Sequence, residues 1–150
     1  GKWAVASGKA APAEARRLWS EVEQVIARFK AADKYVLAVP MWNFGIPYVL
    51  KHYLDVIVQP RLTFRVTPEG AYEGLLTGKK AFLALARGGD YSAGSGLEAL
   101  DHQKPYLELI LGFMGIQDLS AAVIEGTAGK DASERKRRAL EEARRLAAEF

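Results

Sequence analysis

Met41-Trp42-Asn43-Phe44-Gly45 places a thioether, two aromatic faces and one carboxamide on consecutive residues. That mixture suits a flat heteroaromatic ligand. Aromatic and thioether side chains cover a ring face, and the Asn43 amide with the N–H groups of its loop can meet ring heteroatoms. A second run, Ala86-Arg87-Gly88-Gly89-Asp90, offers mostly backbone, because glycine permits conformations and close approaches denied to other residues. Its contribution to a ligand would be N–H donors. Arg87 is open to two uses, a ligand contact or an ion pair with a local acid. Trp42 and Phe44 likewise read either as ring-binding residues or as core residues that cap a sheet.

Both runs follow short apolar stretches. Val36 to Val39, bounded by Asp33 and Pro40, predicts a strand buried on both faces, as in a parallel sheet. Ala81 to Ala86 predicts a second such strand and Leu119 to Ile124 a third. The carboxyl ends of parallel strands are where open α/β sheets bind ligands, and the first two strands end on the two runs above. Helical periodicity fills the intervals. From Ala13, residues Leu18, Val22, Val25, Ile26 and Phe29 share one face. Pro47 opens a helix that buries Val49, Leu50, Tyr53, Leu54 and Ile57 and stops before Pro60. Pro105 to Gly115 presents Leu107, Ile110, Leu111 and Met114. The last helix carries Leu140, Ala143, Leu146, Ala147 and Phe150 after a capping-box-like Asp131-Ala132-Ser133-Glu134. Residues Gly1 to Pro12 have no period and read as a loop. Leu62 to Thr67 alternates as a strand and Pro68-Glu69-Gly70 supplies a turn, so a hairpin-like excursion interrupts the regular order. The class is therefore α/β with a parallel sheet and right-handed crossovers, in a single domain over residues 1–150.

Composition removes several function classes. The chain has 150 residues, 49% of them hydrophobic, enough for one core. No cysteine excludes thiolate catalysis and disulfides. His52 and His102 lie far apart, which argues against a zinc site. Asp101-His102 resembles half a catalytic dyad, but adjacent residues do not share a helix face, and no catalytic side chain is assigned. A net charge of +3 is too small to argue for nucleic acid, and Arg135-Lys136-Arg137-Arg138 reads as a solvated helix face. No apolar run approaches the ~20 residues of a membrane span, so the expectation is a cytoplasmic protein that binds no membrane. Lys51 and His52 read as surface residues, and Glu125 as a residue that either borders a pocket or caps a turn. Gly94-Ser95-Gly96 is not a dinucleotide fingerprint, since Ala99 stands where the third glycine belongs.

Pro40-Met41-Trp42-Asn43-Phe44, with Pro47 and Leu50-Lys51 behind it, resembles the flavin-contacting loop of the FMN-dependent NAD(P)H azoreductases, which are also described as quinone reductases. Arg87-Gly88-Gly89, Leu62-Thr63-Phe64-Arg65 and the stretch Gly74 to Lys80 are similar to the same family, and the likeness runs from about Leu18 onward. The family usually has Tyr at Trp42 and Ser at Ala86. The resemblance implies a three-layer flavodoxin-like sandwich. It implies FMN held by Met41, Trp42, Asn43, Phe44, Ala86, Arg87, Gly88 and Gly89, with NADH or NADPH as electron donor. It also implies a ping-pong transfer to a quinone or azo compound, and a homodimer. It puts Phe64 near the flavin and the dimer interface as a candidate substrate contact; the other reading is that Phe64 anchors the excursion to its own core. The alternative function is a flavodoxin-like FMN-binding electron carrier that does not oxidise nicotinamide. In the family, further strands and a Ser-rich phosphate-binding loop come first. The sequence accordingly reads as a fragment of a longer enzyme, with N-terminal strands missing and an unpaired sheet edge.

Overall fold

A computed structural model describes residues 12–150. The loop expected at the amino end falls, apart from Pro12, outside the described residues. Helix α1 (Ala13–Ala31) buries Ile26 and Phe29, while Leu18 is half exposed rather than inward. Its last carbonyls are closed by Lys79, whose Nζ donates to Lys30 O at 2.9 Å and to Ala32 O at 2.6 Å. Strand β1 (Lys34–Pro40) follows. Tyr35 stacks on Phe29 at 4.4 Å and donates its hydroxyl to the Phe29 carbonyl, and burial pushes that hydroxyl up to about 12.

Helix α2 (Tyr48–Ile57) packs on α1 and buries Leu54 and Ile57. The excursion after it is a two-stranded antiparallel hairpin, β2 (Phe64–Val66) with β3 (Tyr72–Gly74), shorter than the expected Leu62 to Thr67 strand. Strand β4 (Lys80–Ala86), helix α3 (Lys104–Phe113), strand β5 (Asp118–Ile124) and helix α4 (Ala132–Ala147) complete the order. No side chain caps α4, so the expected capping box is not formed. Glu134 turns its oxygens to Arg137 and Arg138 instead.

The three longer strands make one parallel sheet in the order β1-β4-β5, with Tyr35, Ala81 and Leu119 in register at one end and Val39, Leu85 and Val123 near the other. These residues, with Leu37, Leu83 and Ala121, face α1, α2 and α3, and the core there is closed by Leu107, Leu111, Met114 and Ile116. Each fully buried leucine contributes about 1.5–3 kcal/mol to that face. On the opposite face α4 packs on β5 with Ala139 buried, and beyond its end Phe150 lies edge-on to Phe82 of β4 at 5.9 Å. Layers of helix, sheet and helix result. Strand β4 is buried along most of its length on both faces, as expected of a central parallel strand. Strand β1 is not: Val36 is 70% exposed and Ala38 and Pro40 are open as well, so only the Tyr35–Leu37–Val39 face is covered among the described residues. The apolar run could not distinguish a strand covered on both faces from an apolar edge strand.

The hairpin sits at the amino ends of the strands. Gly74 lies against the Met114–Gly115 backbone, and the Leu76 N–H donates to Met114 O at 2.8 Å just before β5 begins.

Candidate functional site

Strands β1 and β4 end side by side, and the Met41 N–H donates to the Ala86 carbonyl at 2.8 Å. Beyond Met41 the chain folds back at once. Trp42 and Gly45 exchange two backbone hydrogen bonds of 3.0 Å, which leaves Asn43 and Phe44 as the two central residues of a tight turn. Both have positive φ, 48° and 67°, as a type I′ turn demands. Asparagine tolerates that conformation; phenylalanine does so at a cost of about 1–3 kcal/mol. The strain has a visible product. Trp42 and Phe44 are 52% and 45% exposed, and the Asn43 side chain with the Asn43 and Phe44 N–H groups has no partner among the described residues.

The second turn is built on its carbonyls. Arg87 O accepts from the Thr127 N–H, Gly88 O from the Ala128 N–H and Gly89 O from the Gly126 N–H, so the run after β5 holds the Arg87–Gly89 turn from one side. Gly126 takes positive φ there, with the Arg135 side chain lying over it. The Arg87 N–H is spent on Ile124 O at 2.9 Å, whereas the Gly88 and Gly89 N–H groups have no partner among the described residues. Gly88 is exposed and Gly89 half-buried, so the turn after β4 carries two donors without a partner among the described residues.

The Arg87 side chain points the other way. It is 2% exposed and ion-paired to Asp101 at 2.8 Å and Glu125 at 2.9 Å, and its Nε donates to Gln103 Oε1 at 3.0 Å. Of its two possible uses the side chain takes the ion pair, and the Arg87 N–H, expected as a backbone donor to a ligand, is spent on Ile124 O. Gln103, itself buried, passes the tie onward by donating its Nε2 to the Val39 carbonyl at 3.0 Å. Glu125 Oε2 accepts the Tyr91 N–H, and the Tyr91 ring meets the Phe44 ring edge-on at 6.2 Å. The His102 N–H donates to Phe44 O at 2.9 Å. Both turns are thus bound to each other, directly at Met41 and Ala86 and indirectly through Arg87.

Asp101 and His102 form no dyad: Asp101 Oδ2 pairs with Arg87 while Oδ1 accepts the Gln103 and Lys104 N–H groups, and His102 is exposed. Lys51 pairs with Asp55 on the open face of α2. Phe64 is not brought to the turns of its own chain: its ring packs on Phe113 at 4.7 Å and on Tyr72 at 5.9 Å, on the hairpin at the opposite end of the sheet. Tyr91 and Gln103 carry no signal in the sequence, because their parts depend on partners distant in the chain. Asp90 is held low, at about 2, first by the Ser92 hydroxyl and then by Arg135, which ties the end of the turn to α4. No group of three or more metal-ligating side chains occurs among the described residues, and no helix there is long and apolar enough to cross a membrane.

Residues 2–147 match the Flavodoxin_2 family, described as having a flavodoxin-like fold. The chain belongs to this flavodoxin-like family. The parallel sheet between helical layers is that fold. A curated relative, the FMN-dependent NADH:quinone oxidoreductase of Nitratidesulfovibrio vulgaris strain DP4, is 50% identical over 135 residues, which are 88% of this chain and 64% of the relative. The flavodoxin-like chain thus spans less than two thirds of that relative's length. Among solved structures, an azoreductase from Bacillus anthracis superposes with a TM-score of 0.90 at 33% identity, covering 99% of this chain and 72% of the other. An FMN-dependent NADH-azoreductase from the same species, solved in complex with FMN, gives a TM-score of 0.87 at 29% identity over 97% and 69% of the two chains.

Proposed function

We propose that this chain carries the ring-binding part of an FMN-dependent oxidoreductase acting on quinones or azo compounds. The observation that carries the reading is the convergence of two turns on neighbouring parallel strands, one presenting half-exposed aromatic faces and a free amide, the other presenting two unpaired N–H donors. These features fit an isoalloxazine ring, whose faces are apolar and whose edge alternates donors and acceptors. The names of the relatives support the same cofactor and acceptor class.

Met41, Trp42 and Phe44 cover the ring and exclude water from it. Asn43 offers one amide donor and one acceptor to its edge. Gly88 and Gly89 supply fixed donors where negative charge accumulates on reduction. Ala86 and Arg87 hold the turn in place, Ala86 through its carbonyl on the Met41 N–H and Arg87 through its N–H on Ile124 O, with its side chain turned inward. When bound, FMN supplies the two-electron chemistry that joins oxidation of NADH or NADPH to reduction of the acceptor in a ping-pong cycle. A cytoplasmic homodimer belongs to the same proposal, and Tyr48, Val49, Tyr53 and Leu109 are exposed apolar surface available to an interface.

The test is reconstitution of the full-length protein with FMN. The expected result is a visible flavin band that stays with the protein on gel filtration, bleaches with NADH or NADPH without air, and returns on addition of a quinone. Absence of a protein-bound band refutes the reading. A bound band that nicotinamide does not bleach favours the electron-carrier alternative.

A further inference from the structure

Arg87 is one buried cation between two carboxylates, Asp101 and Glu125, which are 12% and 16% exposed. The cluster therefore holds one negative charge in excess. The neighbouring pair of Arg135 and Asp90 is neutral in sum and leaves that excess in place. Glu125 does more than pair. Its Oε1 faces Arg87 Nη1 at 2.9 Å and its Oε2 accepts the Tyr91 N–H at 3.1 Å, so one carboxylate grips both ends of the turn that carries Gly88 and Gly89. A glutamine cannot do the same. It presents one acceptor and one donor, and both of these neighbours are donors.

We propose that Glu125 is a positioning residue of the flavin site: it fixes the Gly88–Gly89 turn through both oxygens and, with Asp101, sets a negative charge behind that turn which lowers the reduction potential of bound FMN. The inference rests on the flavin reading above. Reduction adds negative charge to the ring, and a fixed carboxylate in a poorly solvated place opposes that gain while leaving the oxidised ring almost unaffected. The cluster and the two N–H donors then act in opposite senses. The donors decide where charge settles on the ring, and the carboxylates decide how willingly it is accepted.

The experiment compares wild-type full-length protein with Glu125→Gln, Glu125→Asp and Asp101→Asn. It reads FMN affinity by fluorescence quenching, the two-electron midpoint potential by equilibration with a reference dye, and amide exchange of residues 88–92 in the FMN-free protein. Glu125→Gln is expected to raise the potential by about 30 mV, equivalent to a tenfold change in preference between the two redox forms, and to speed exchange at Tyr91. Glu125→Asp keeps the charge but shortens the reach, so exchange accelerates while the potential does not rise above the wild-type value. Asp101→Asn raises the potential without loosening Tyr91. If Glu125→Gln does not fold, the other two variants still test charge and grip separately. Equal potentials in Asp101→Asn and wild type, or unchanged exchange in Glu125→Asp, overturn the proposal. A wild-type protein that binds no FMN removes the flavin reading itself, an outcome distinct from a wild type that binds FMN and variants that leave its potential unmoved.

Discussion

Met41 and Ala86 are joined by a 2.8 Å hydrogen bond one step past the paired ends of two parallel strands. That bond sets the spacing between the turn that strains Asn43 and Phe44 and the turn that frees the Gly88 and Gly89 N–H groups. Any ligand touching both turns therefore meets a frame whose separation is decided by the sheet ladder and not by loop motion.

Phe44→Gly separates the cost of the turn from its use. Glycine relieves a positive φ of 67°, a saving of about 1–3 kcal/mol, which is offset by its own backbone entropy, about 0.5–1 kcal/mol, and by loss of the edge contact with Tyr91, worth about 0.5–1.5 kcal/mol. Stability by urea denaturation is expected to change by less than about 1 kcal/mol, while FMN affinity falls about tenfold, roughly 1.4 kcal/mol. A variant that binds FMN as well as wild type but unfolds far more easily would make Phe44 a packing residue only.

Gly74→Ala tests the seat of the hairpin. A Cβ at residue 74 would lie 2.2 Å from the Gly115 nitrogen and 2.4 Å from the Met114 carbonyl carbon, both backbone atoms that cannot step aside. Overpacking of this kind costs about 1–3 kcal/mol, and the upper end is expected here because Leu76 must also keep its bond to Met114. Urea melts of the variant should shift accordingly; an unshifted midpoint would show that the hairpin is not pressed on α3.

The three parallel strands and the turns that follow the first two were legible in the sequence because the apolar runs stop at Pro40, Arg87-Gly88 and Glu125-Gly126. What was not legible depends on distant partners. Arg87 could be read as a ligand contact because Asp101 and Glu125, which bury its charge, lie far along the chain. The open face of β1 was hidden because Val36 and Ala38 are as apolar as the residues on its covered face. Asp131 and Glu134 had the spacing of a capping box, yet Glu134 found two arginines within one turn and was drawn away from the helix end.

Acid should release the end of the second turn from α4. The Asp90 carboxyl sits at about 2 against an ordinary 3.8, through the Ser92 hydroxyl first and the Arg135 guanidinium second. A depressed carboxylate stabilises the folded form above its ordinary value, and that contribution disappears as pH falls through the folded value. The tie is thus complete at pH 5 and lost between about pH 4 and pH 2. Ser92→Ala should move the Asp90 midpoint upward toward 3.8, read from its carboxyl resonance by NMR. A wild-type midpoint already at the ordinary value would refute the assignment.

Arg87→Lys and Arg87→Met decide how much of the site is scaffold. The guanidinium serves Asp101, Glu125 and Gln103 at once from three nitrogens, a geometry a single ammonium does not reproduce. Lysine should therefore cost about 2 kcal/mol despite keeping the charge, by loss of one or two charge-assisted bonds. Methionine leaves two carboxylates facing each other in a poorly solvated place and should cost about 3–5 kcal/mol. Because Gln103 also holds Val39, the loosening should reach β1, and amide exchange in the Asn43 turn should rise along with that in the Gly88 turn. Exchange that rises only beside residue 87 would mean that the two turns are joined by the Met41–Ala86 bond alone, and that the buried cluster serves β4 and β5 without reaching the aromatic side of the site.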